Sequence, residues 1–193
     1  APGYKVKVKL YNFADYGVPQ LRERILIVGI RSDIDFDFEH PAPTHSAKDN
    51  ELLPHVTAGE ALANIPSDAK NTEQQKLSPK TVEKLKLISA GGNFTDIPKD
   101  HPLYVKGMIS HVYRRIHPDE PSKTIIAAGG GGTWGYHYPE PRSLNNRERA
   151  RLQSFPDDFE FVGTMTQVRK QIGNAVPPQG VRELAKTLKK IFE

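Results

Sequence analysis

The 193-residue sequence contains no cysteine. That absence excludes disulfides, thiolate metal sites and a cysteine nucleophile on this chain, and it fits a reducing compartment. No apolar run approaches the roughly 20 residues that span a bilayer, so a soluble chain is expected. The opening "APGYKV" lacks both regions of a signal peptide. It also lacks an initiator Met, which suggests a processed or excised piece. Internal repeats and low-complexity tails are missing. His101, His111, His117 and His137 do not have metal-ligand spacing. Neither glycine-rich stretch forms a G-x-G-x-x-G between strand and helix or ends in G-K-[ST], which argues against a phosphate cradle.

A net charge of +4 and a pI near 9.2 permit a polyanionic partner without requiring one. Local clustering says more than the total. Positive charge gathers at Arg142, Arg147, Arg149 and Arg151 and again in the tail, whereas Asp33, Asp35, Asp37 and Glu39 form an acidic stretch. Such runs are most often solvated faces.

"YKVKVKLY" (4–11) alternates apolar residues with lysines, the period of a half-buried strand whose lysines face outward. "ILIVGI" (25–30) is continuous and β-branched, as in a strand covered on both faces. The loop between them is too long for a hairpin turn, and the pair looks like the edge of a larger sheet. Thr57 with Glu60 forms a capping box that predicts a short helix stopping at Pro66. Ser78 and Pro79 open a second helix over 79–90, with Gly91 as its stop. Asn145 with Glu148 caps a third, running through Phe155. From about Pro178 a last helix places Val181, Leu184, Ala185, Leu188, Ile191 and Phe192 on one apolar stripe. Between 91 and 141 the pattern is irregular, loop-rich and β-leaning, and glycines beside Arg, His, Tyr and Trp suit a surface that fits something large.

Three islands stand out: "ADYGVPQLRER" (14–24), "RSLNNRERARLQSFPDDF" (142–159) and "QIGNAVPP" (171–178). In "QLRER", Gln20, Arg22 and Arg24 alternate along an entering strand, forming either a cluster of donors on one side or a strand end salt-bridged through Glu23. In the second island Arg147 and Arg151 lie one helical turn apart and brace loops. The third reads as a Gly-Asn turn ahead of a helix begun by proline.

In this order and spacing the islands resemble motifs VIII, IX and X of the DNA (cytosine-5)-methyltransferases, with a target-recognition region between the first two. The resemblance covers essentially the whole chain, though in the middle third only Thr124 and Ile125 match. It implies an α/β fold: the C-terminal portion of an S-adenosylmethionine-dependent methyltransferase, with two sheet strands and a closing helix. Residues 1–32 would end the catalytic sheet, 33–163 would form a small, mixed, loop-rich recognition domain, and 164–193 would return to the catalytic domain. It further implies that Arg24 points at the flipped cytosine and that Arg22 lies near the backbone of the extruded nucleotide, with Gln20 beside them. Phe155, Asn174, Ala175 and Val176 would border the S-adenosylmethionine pocket.

Candidates for contact with double-stranded DNA are His111, Tyr113, Arg114, Arg115, Thr124, Gly130, Gly131, Trp134 and Arg142. Arginine is the commonest reader of guanine, and glycine lets the backbone approach the duplex. The family attacks carbon-6 of a flipped cytosine with a Cys thiolate and holds N3 with a Glu. This chain has neither the Pro-Cys island, the Glu-Asn-Val island nor the Phe-x-Gly-x-Gly loop. The resemblance therefore implies a C-terminal half or subunit, inactive without an N-terminal partner and working in a bacterial cytoplasm near the nucleoid. A DNA-binding specificity module without catalysis, or a protein-interaction domain of the same descent, are the alternatives from other classes.

Overall fold

The computed structural model describes residues 2–107, 112–127 and 134–193. His111, Gly130 and Gly131 lie outside them, as does the side chain of Trp134. Strands β1 (Tyr4–Asn12) and β2 (Glu23–Arg31) form an antiparallel hairpin in which Tyr4 pairs with Arg31 and Asn12 with Glu23. A 3-10 turn, Phe13–Tyr16, closes the connection, and Gly17 supplies the left-handed residue that ends it (φ 80°).

The hairpin faces run opposite to the expectation of lysines outward. Lys5 and Lys9 donate to the carbonyls of Ile34 and Pro41, and Lys7 pairs with Asp37 and Glu39. The acidic stretch is thus a strap laid over the lysine face. Val8, Leu10, Ile25 and Ile27, on the other face, are each about 60 % exposed. Among the described residues β2 is therefore covered on one face only.

Two further pairs are minimal and parallel: β3 (His45–Ser46) with β4 (Leu53–Pro54), and β5 (Arg114–Arg115) with β6 (Trp134–Tyr136). The capping boxes at Thr57 and Asn145 form as expected, opening α1 (Ala58–Leu62) and α3 (Asn146–Leu152). Both helices stop earlier than expected. Ala63 is already extended, and Ser154 adopts φ 61°. Helix α2 (Pro79–Lys86) starts at Ser78 and likewise ends before Gly91.

Helix α4 (Met165–Asn174) was not anticipated, although Thr164 and Gln167 form a complete capping box in front of it. Gly173 and Asn174 are its last residues rather than a turn. A 3-10 turn, Gln179–Val181, then leads into α5 (Arg182–Lys189), none of whose residues is fully buried. The apolar stripe of α5 thus finds no complete cover among the described residues, and Phe192 beyond it is 86 % exposed.

The main core gathers Ala58 and Leu62 of α1, Ile116, Ile125, Leu144, Ala150 and Leu152 of α3, Phe161, and Val168 and Ile172 of α4. Each fully buried Leu or Ile contributes about 1.5–3 kcal/mol of transfer free energy. A smaller cluster joins Leu85, Ile88, Ile97 and Tyr136. Among the described residues no helix is long and apolar enough to cross a membrane.

Candidate functional site

The three islands meet at one buried point. The side-chain amide of Gln20, wholly inaccessible to solvent, donates to the Leu152 carbonyl (3.0 Å) and to Oε1 of Gln153 (3.1 Å), and its Oε1 accepts from the amide of Ile125 (2.8 Å). Gln153 passes the link on by donating to the Ile172 carbonyl (2.7 Å). Arg22 reaches the same place from two residues further on. Its Nη1 donates to the Ile125 carbonyl (3.0 Å), and its Nη2 donates to the carbonyls of Gly173 (2.9 Å) and Ala175 (3.2 Å). Burial, with Arg24 nearby, lowers the Arg22 pKa to about 10, which leaves it a cation at neutral pH.

Backbone pairing zips the first island to the middle of the chain. Leu21 donates to Ser122, Ser122 donates to Pro19, and the Thr124 hydroxyl donates to the Leu21 carbonyl (2.8 Å). Gly173 makes this closeness possible, since a Cβ there would lie 2.2 Å from the Ala127 nitrogen.

The expected donor cluster is therefore divided. Gln20 and Arg22 are buried and fasten the chain to itself, whereas Arg24 is exposed and donates to the Glu23 carbonyl. Thr124 belongs to the same fastening. Asn174 and Val176 are exposed and Ala175 is half-buried. Asn174 borders an open cleft of about 490 Å³ shared with Val162, Gly163, Gln167, Lys170 and Gln171. Phe155 packs in a three-ring cluster, tilted against Phe159 (5.1 Å) and edge-on to Phe161 (5.0 Å), at the edge of the main core.

The second island is an arginine brace. Arg147, fully buried, donates to the carbonyls of Lys70, Pro156 and Phe159. Arg151 chelates Asp157 and reaches the carbonyls of Ala61, Ala63 and Asn64. Arg149 is buried near Arg169, and that burial brings its pKa down to about 10. Arg142 holds both Glu140 and Glu148, whose hydrogen bonds outweigh the cost of burial and raise its pKa.

Arg142 and Arg115, both expected at DNA, are thus engaged inside the protein. Arg115 is 8 % exposed, with donors on the carbonyls of Leu85, Ile88, His137, Tyr138 and Glu140. Arg114 donates to Gly91 from a more open position. Tyr113 adopts φ 54°, stacks on Tyr136 and lies under the Lys84 ammonium (4.8 Å). The backbone of Trp134 pairs with Arg114.

Two members of the junction escaped sequence reasoning. Gln153 is polar and would ordinarily be placed on the surface. Gly173 reads as a turn glycine, and only the segment pressed against it shows why a side chain is excluded. The one available signal for α4 was the Thr164 and Gln167 spacing.

The C-5 cytosine-specific DNA methylase family model matches residues 1–190. The type II methyltransferase M.NgoFVII of Neisseria gonorrhoeae is 71 % identical over 98 % of this chain, and M.BbvI of Brevibacillus brevis is 53 % identical over 98 %. The chain spans about half the length of these curated relatives, 51 % and 50 % respectively. A solved structure described as a DNA modification methyltransferase encoded within an Escherichia coli prophage superposes over 98 % of this chain and 61 % of its own. Its TM-score is 0.69 at 20 % identity, a likeness of fold. With a family model spanning nearly every residue and relatives this similar, the chain belongs to the C-5 cytosine-specific DNA methylases.

Proposed function

We propose that this chain is the C-terminal part of a DNA (cytosine-5)-methyltransferase. In this role it supplies target recognition and one wall of the cytosine and S-adenosylmethionine pockets. The observation that carries the proposal is the bare apolar face of the hairpin. Tyr4, Val6, Val8, Leu10, Ile25 and Ile27 are exposed on one surface of a two-stranded sheet. A hairpin of this kind is marginal alone and is stabilised by further strands or a packed layer. The chain's share of its relatives' length is consistent with another half that provides that layer.

The proposed division of labour follows from the residues present. The thiolate that adds to carbon-6 of cytosine and the carboxyl that holds N3 come from the other half, since this chain has neither a cysteine nor the Glu-Asn-Val island. Arg24, exposed beside the junction, is the donor free to approach a flipped base. Gln20 and Arg22 hold Ile125 and the end of α4 in register around it. Asn174, Ala175, Val176 and Phe155 offer a polar amide, small apolar contacts and a ring to the cofactor, which supplies the methyl group when bound. The open cleft beside Asn174 fits one side of such a ligand and needs a second wall. The segment between β2 and α3 carries the DNA-reading candidates; Arg115, Thr124 and Arg142 have internal tasks, Tyr113, Arg114 and Trp134 stay as readers among the described residues, and His111, Gly130 and Gly131 stay as candidates outside them. Restriction-modification in a bacterium is the setting suggested by the relatives' names, type II methyltransferases of Neisseria gonorrhoeae and Brevibacillus brevis.

The test is association with the N-terminal half of the Neisseria gonorrhoeae relative. Val8→Glu and Ile27→Glu should abolish a complex that the unaltered chain forms, while leaving its melting temperature unchanged because both positions are exposed. Equal binding by the variants would remove the hairpin face from the proposal.

A further inference from the structure

We infer that Arg115 is the positioning residue that sets the sequence discrimination of the recognition region, without touching DNA. This inference rests on the target-recognition role proposed above. Arginine carries five N–H donors in a rigid planar fork. In this protein five backbone carbonyls surround that fork. Nε donates to His137 (2.9 Å), Nη1 to Leu85 (3.0 Å) and Ile88 (2.7 Å), and Nη2 to Tyr138 and Glu140.

These carbonyls belong to two separate segments. Leu85 and Ile88 lie at the end of α2 and just beyond it, and residues 137–140 follow β6. Arg115 itself sits in β5, whose partner is β6. One guanidinium therefore fixes the spacing of three segments. Tyr113 and Arg114 are the two residues before Arg115, and Trp134 opens the strand paired with β5. Base readers need a fixed frame, because a misplaced bidentate donor loses its discrimination. Lysine keeps the charge but has three donors on a flexible stem, so it cannot span five carbonyls.

The experiment uses the chain assembled with the N-terminal half, acting on mixed-sequence plasmid DNA whose methylated sites are read by bisulfite sequencing. The unaltered assembly should mark one site strongly over its single-base neighbours. Arg115→Lys should lower that preference at least tenfold at one or more positions while still methylating DNA. Val168→Ala, which thins the main core in α4 rather than the cluster around Arg115, serves as the stability control. It should lower the melting temperature and leave the preference unchanged. An Arg115→Lys preference equal to that of the unaltered chain would overturn the inference with the methyltransferase proposal intact. Failure of the unaltered assembly to methylate any DNA would overturn both.

Nitrogen-15 arginine spectra of the unaltered chain need no variant that folds. The Arg115 Nη protons should be resolved, slow to exchange and unmoved when duplex DNA is added. Rapid exchange, or a shift on DNA binding, would mean that Arg115 meets solvent or DNA directly.

Discussion

Replacing Gly173 with alanine should destabilise the protein, although alanine is the better helix former by about 1 kcal/mol in an exposed helix. The reason is the segment that follows Thr124. A Cβ at position 173 would lie 2.2 Å from the Ala127 nitrogen and 2.4 Å from both the Ala127 Cα and the Ile126 carbonyl carbon. These are backbone atoms, which cannot rotate aside as a side chain would. Overpacking of this kind costs about 1–3 kcal/mol. The displacement also disturbs the hydrogen bond from Arg22 to the Gly173 carbonyl, 2.9 Å long and buried. Bonds to a charged group are worth about 1.5–3 kcal/mol. Set against the gain in helix propensity, the net loss is roughly 1.5–5 kcal/mol. Urea unfolding followed by circular dichroism should give a midpoint lower by at least about 0.5 M with an unchanged slope. A Gly173→Ala chain as stable as the original, or more so, would mean that this segment does not press on α4 and that the junction is looser than described.

Three further outcomes follow from the same contacts. Arg147→Met should lose about 3 kcal/mol, since three carbonyls forfeit the charged donor that the buried Arg147 side chain brings to them, and calorimetry should show a fall of roughly 6–12 °C in Tm. Gln20→Ala and Gln153→Ala should be non-additive by about 0.5–3 kcal/mol in a double-mutant cycle of unfolding free energies, because each amide is left half-satisfied without the other. The hydrogen bond from Arg151 holds the Asp157 carboxyl below the usual aspartate range, so its stabilisation is present above about pH 4 and fades as pH falls through the depressed value. The stability gap between the unaltered chain and Asp157→Asn, measured by urea titration from pH 7 to pH 3, should narrow at the acid end.

Much of the local structure was legible because its causes are local. Alternation in 4–11 marked a strand, and side-chain caps at Thr57, Ser78 and Asn145 marked helix starts within one or two residues. Which face of the hairpin is covered was not legible. Alternation says that two faces differ, and the choice depends on what lies over each: here an acidic strap on the lysines and, on the proposal above, another half on the valines and isoleucines. The family islands were legible as motifs, but their tasks were less so. Arginines in a recognition region suggest DNA, yet Arg115 and Arg142 answer to carbonyls and carboxylates that only the tertiary fold brings near. Gln153 and Gly173 were hidden for the same reason, as each is explained by atoms distant in sequence. Helix α4 was missed through weak periodicity, with Val168 and Ile172 its two fully buried apolar residues, although its cap was in plain view.

On the function proposed above, this chain completes a cytosine-5 methyltransferase that it cannot replace. The most direct measurement is transfer of a labelled methyl group from S-adenosylmethionine to mixed-sequence duplex DNA. It should be made with this chain alone, with the N-terminal half of the Neisseria gonorrhoeae relative alone, and with the two together, and the product identified by nucleoside analysis. 5-Methylcytosine should come from the mixture and from neither part alone. Methylation by this chain alone would contradict the cysteine-dependent division of labour. DNA binding by the mixture without any methyl transfer would instead favour a specificity module that has no catalytic role.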